Sequence, residues 1–85
     1  SHAARHFPAG HHALRRGDIL LKLRAGPHTP TRLAEYYGVL VMDINFDLAF
    51  LAPIAKLRGF TLHGQRFYCL HDYPVPLQAA AVTVA

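Results

Sequence analysis

Hydrophobic positions follow two spacings along this chain, a helical one as far as residue 58 and an alternation of every second residue from 60 to 70. Gly17-Asp18 precedes Ile19, Leu20, Leu21, Leu23 and Ala25, so Asp18 is placed to cap a first helix that ends at Gly26-Pro27. Arg15 and Arg16 offer a start one turn earlier. Thr29 then caps a second helix, with Pro30 at the first helical position, where no donor is missed. In that helix Leu33, Ala34 and Tyr37 share one face, and Gly38 supplies the left-handed residue that redirects the chain. A third helix presents Val39, Ile44, Leu48 and Leu51 inward, with Asp43 available as its cap. Pro53 either kinks this helix or restarts it as a short piece over residues 53–58, which Gly59 stops.

The alternating region predicts a two-stranded hairpin, Phe60 to His63 and Arg66 to Leu70, around Gly64-Gln65. Gly64 at the first central position suits a type II′ turn. Phe60, Leu62, Tyr68 and Leu70 then close over the helices, leaving Thr61, His63, Phe67 and Cys69 on the other face. Residues 1–12 hold Pro8, Gly10 and four histidines without periodicity and read as a flexible arm. Residues 73–85 form a tail with Pro74 and Pro76, open to three forms: a short helix, an added strand or a dimer contact.

Composition narrows the class. With 85 residues, 52% of them hydrophobic and 16% charged, the chain is a single ordered domain, apolar enough that some surface calls for a partner. Nine Lys and Arg against five Asp and Glu give +4, which permits attraction to nucleic acid or to an acidic protein. One cysteine, Cys69, excludes an internal disulfide and fits a reducing, cytoplasmic setting. Residues 39–55 are broken by Asp43, Asn45, Asp47 and Pro53, so no membrane span is expected, and no charged-then-apolar signal opens the chain.

The run T-P-T-R-L-A-E-Y-Y-G-V from Thr29 to Val39, with apolar Ile44, Leu48 and Leu51 after it, resembles the helix-turn-helix core of winged-helix proteins of the small bacterial or phage transcription-regulator type. The resemblance implies a mainly α fold with a small β-hairpin: three or four helices plus a two-stranded wing, over residues 13–72. It also implies binding to double-stranded DNA in transcriptional regulation, as a dimer. In that family the second helix of the motif enters the major groove, which here turns Leu40, Val41, Met42, Asp43, Asn45, Phe46 and Asp47 outward. Arg32 and Arg66 stand where related proteins touch phosphate or the minor groove, and Asn45, Arg58 and His63 complete the candidate DNA-binding set. Lys22, Arg24 and Lys56 read equally well as a solvated charged face.

The chemistry of the third helix supports a different use. Its outward residues offer Asn45 alone as a base-edge partner, beside two carboxylates that repel phosphate. From Ile44 to Leu57 it has almost no polar face, so Met42, Phe46 and Phe50 are candidates for a homodimer or protein-partner interface. On that reading the fold serves protein contact, as in a phage-type inhibitor or an assembly subunit. Tyr37 is expected inside and Tyr36 outside. Seven histidines raise the question of a metal, but His11, His12, His63, Cys69, His71 and Asp72 do not follow zinc-ligand spacing, so neither metal nor cofactor is expected. Cys69, His71 and Asp72 are too close in sequence to form a triad, and no phosphate-cradling glycine loop is present. No enzymatic activity is expected.

Overall fold

The computed structural model of the chain describes residues 12–85. Helix α1 spans His12–Ala25 and buries Ile19 and Leu23. Within the described residues it is helical from His12, earlier than either expected start, and runs straight through Gly17 and Asp18. A glycine inside a helix costs about 1 kcal/mol relative to alanine. That cost is offset because continuing the helix brings Arg15 and Arg16 onto Asp47 of the third helix. Asp18 is not a cap; its carboxylate accepts a 2.7 Å hydrogen bond from the Tyr37 hydroxyl. The arm expected over residues 1–12 lies outside the described residues except for His12, which is helical.

Helix α2, Pro30–Tyr37, begins and ends on local signals. Thr29 Oγ1 accepts the Arg32 amide at 3.1 Å, and Gly38 adopts the left-handed conformation at φ 68°. Leu33, Ala34 and Tyr37 form its buried face. Helix α3, Val41–Ala55, has Leu40 at its N-cap with no side-chain bond. Asp43 therefore does not cap it, but lies in the first turn, where a carboxylate favours the positive end of the helix dipole. The helix passes through Pro53 without restarting and ends at Lys56, which takes the left-handed cap position with φ 54°. Gly59 has no part in that stop. It already lies in a strand.

The expected two-stranded hairpin is part of a three-stranded antiparallel sheet, β1 Arg58–Leu62, β2 Gln65–Cys69 and β3 Ala80–Val84, in the order β2-β1-β3. The molecule is thus mixed α/β instead of mainly α. Leu62 faces Gln65 and Phe60 faces Phe67, so the turn centres on His63-Gly64, one residue before the expected pair. Both have positive φ, 52° and 75°, as a type I′ turn requires, which replaces the expected type II′. This register sets Phe60 directly opposite Phe67 with ring centroids 5.4 Å apart, and Cys69 shares their face, so Phe67 and Cys69 do not stand across the sheet from Phe60 as expected. Tyr68 and Leu70 pack on the helical core from the other side. The α1–α2 connection joins the sheet through a bridge between His28 and Tyr68, whose backbone amides and carbonyls pair at 3.0 and 2.9 Å.

Of the three forms open to the tail, residues 80–84 adopt the added strand. Because β2 and β3 both run antiparallel to β1, they are parallel to each other, and residues 70–79 must cross one face of β1 to join them. The helices occupy the Tyr68 face. Phe60 and Cys69, on the opposite face, are buried outside the main cluster of Ile19, Leu23, Leu33, Tyr37, Ile44 and Leu48. Among the described residues no single helix is long and apolar enough to cross a membrane.

Candidate functional site

Helices α2 and α3 meet at 114° across the Gly38 turn, within the range of helix-turn-helix units. Three contributions define a groove of about 510 Å³ beside this corner. The start of α2 supplies Thr29 to Arg32, α3 supplies Val41 and Asn45, and the hairpin supplies Gln65 and Arg66. Of the five candidate DNA-binding residues, Arg32, Asn45 and Arg66 converge here. Glu35 adds a carboxylate to the same wall.

Arg66 is not a free cation at the wing tip. It pairs with Thr61 one step below the turn, and its guanidinium crosses β1 to donate to Ala81 O at 2.5 Å, to Thr83 Oγ1, and to Thr61 Oγ1 at 3.3 Å. Gly59 makes room for that crossing, since a Cβ there would stand 2.8 Å from Arg66 Nη2. His63 occupies the tip itself and is exposed. Arg58 lies at the opposite end of β1, opposite Cys69, and donates to His71 O at 3.3 Å. It does not join the groove.

Asp47 overturns its placement on the outward face. It is fully buried, with Oδ2 2.6 Å from Arg15 Nε and Oδ1 2.9 Å from Arg16 Nε. His12 Nδ1 stands 4.0 Å from the same carboxylate. Two of the nine cations are thus spent internally, and one of the two carboxylates expected to repel phosphate is neutralised. Arg16 also lies over the Phe50 ring at 4.0 Å. Bordering this network at Phe50, α3 presents a stripe of Met42, Phe46 and Phe50, which are 58%, 65% and 50% exposed, continued by Ile54. Tyr37 is buried as expected, while Tyr36 is half-buried, edge-on to Tyr37, with Lys22 Nζ 3.6 Å from its ring centre.

Among the described residues no three His, Cys, Asp or Glu side chains come together to hold a metal. Cys69 is buried, and desolvation pushes its thiol pKa up, with Arg58 opposing the shift and Asp72 adding to it. A thiol held protonated is a poor nucleophile. The groove members that sequence reading missed, Thr31, Glu35 and Gln65, are ordinary surface residues brought together by the corner and the turn. No spacing along the chain distinguishes them. Compared with protein-family models, curated proteins and solved structures, the chain matches none.

Proposed function

We propose that this protein is a winged-helix DNA-binding protein acting in transcriptional regulation, as a dimer. The observation that carries the reading is the groove in which Arg32, Asn45 and Arg66 converge beside the exposed start of α3. The bridge from the α1–α2 connection to the hairpin, together with the 114° corner, supports the winged-helix assignment. Burial of Asp47 removes one obstacle, since its charge does not reach a bound phosphate. On this reading Arg32 contacts phosphate at the mouth of the groove and Asn45 is the hydrogen-bonding reader on α3. Val41, Met42 and Phe46 make apolar contacts, of which the thymine methyl is the available base partner. His63, at the hairpin tip, reaches the adjacent backbone. Binding to random duplex DNA should weaken steeply with salt, and Arg32→Ala should reduce the log–log salt slope by about 0.9. Absence of binding at low salt would sink the proposal.

A second reading is favoured by one observation, the stripe of Met42, Phe46 and Phe50. Three large apolar side chains, four residues apart and half exposed or more, form a helix face suited to a protein groove or a second copy. Phe46→Asp separates the two uses. Loss of self-association or of a partner with duplex binding retained assigns the stripe to protein contact; loss of duplex binding alone assigns it to the DNA face.

A further inference from the structure

We propose that the C-terminal strand β3 is a latch that withholds Arg66 from the groove, so that β3 and a phosphate compete for one guanidinium. The inference rests on the DNA-binding reading and adds its regulation. Arg66 lines the groove, yet both of its Nη atoms are engaged, Nη1 by Ala81 O and Thr61 Oγ1 and Nη2 by Thr83 Oγ1. Two of those acceptors belong to β3. A phosphate can recruit Arg66 fully only if those two bonds are released.

The strand is built to let go. All five of its residues are exposed, whereas β1 and β2 contribute the buried Gly59, Phe60 and Cys69. Its pairing with β1 is broken where Ala81 and Val82 stand against Phe60 alone. Ala81 takes φ 50°, a left-handed conformation in which its Cβ crowds the carbonyl oxygen, so the strand is strained at that residue. Arg66 donates to the carbonyl of that same strained residue. The guanidinium thus holds β3 at its weakest point, and linkage makes the effect reciprocal: phosphate loosens the strand to the extent that the strand weakens phosphate binding.

The test combines hydrogen exchange of the β3 amides with binding of a random 20-base-pair duplex to the full chain. The variants are Thr83→Val, which removes one acceptor, and Gly59→Ala, whose new methyl crowds the guanidinium. The latch predicts faster β3 exchange on adding duplex to the wild type. It also predicts duplex binding at least about fivefold tighter in Thr83→Val, with a salt slope steeper by about 0.9. Binding by Thr83→Val when the wild type does not bind would equally support it. Duplex binding with β3 exchange unchanged, or with Thr83→Val no tighter than the wild type, would overturn the latch and leave the DNA reading standing. No binding by the wild type or either variant at low salt would overturn both.

Discussion

Asp47 is held by two arginines from a single turn of α1, and at the residue scale it is the point where substitution should cost most. Truncating one member of a buried ion pair strands the other, so Asp47→Ala should lower stability by about 3 kcal/mol, read from urea unfolding. Arg15→Ala should act in the same direction, and the double variant should cost less than the sum because the two share one interaction. Asp47 was legible in principle: it stands three residues after Ile44 and one before Leu48, on the inward side of the helix. An inner-face carboxylate demands a buried cation, and Arg15 and Arg16 supply it from 32 and 31 residues away, beyond the reach of local pattern. Cys69 makes a separate prediction. Its folded pKa is raised above the ordinary 9.0, so the native state keeps a proton that the unfolded chain releases. Stability should therefore be unaffected below pH 9, and should fall as pH rises from there through the folded value, a slope that Cys69→Ala removes.

The elements differ in how much of their form is locally encoded. Helix α2 follows from Thr29, Pro30 and Gly38 because capping, a fixed proline φ and a left-handed glycine act over a few bonds. The hairpin was legible as an element but not in register. Gly64 fits the first position of one turn type or the second of its alternative, and what selects the second is the tertiary gain of setting Phe60 against Phe67. Because a type I′ turn favours asparagine before glycine, His63→Asn should stabilise the fold by about 0.5 kcal/mol in thermal or urea unfolding. Gly64→Ala, forced to φ 75°, should destabilise by about 1 kcal/mol or more. Strand β3 was one of three options because its partner, β1, lies some twenty residues upstream and neither sequence announces the other.

At the scale of the whole molecule, formal charge overstates what is available to a partner. Arg15 and Arg16 neutralise Asp47, Arg66 is tied to β3, and Arg58 lies at the far end of the sheet, leaving Arg32 as the principal cation at the groove. The candidate site was therefore half legible. The residue types and the corner were in the sequence, but which cations stay free is decided by long-range pairing. Lys22 is also committed, over the Tyr36 ring, so Lys22→Ala should leave the salt slope of duplex binding unchanged while Arg32→Ala lowers it. Parallel titrations of the two variants check this.

The passage of residues 70–79 across β1 sets an order of assembly. The helices and the β1–β2 hairpin are complete by residue 69, so they can form before the chain has doubled back, whereas β3 must await closure of that loop. Substitutions in β3 should then accelerate unfolding and leave the refolding rate nearly untouched, the kinetic signature of a part that docks after the rate-limiting barrier. During synthesis, too, a nascent chain would fold its helical corner before it fastens β3.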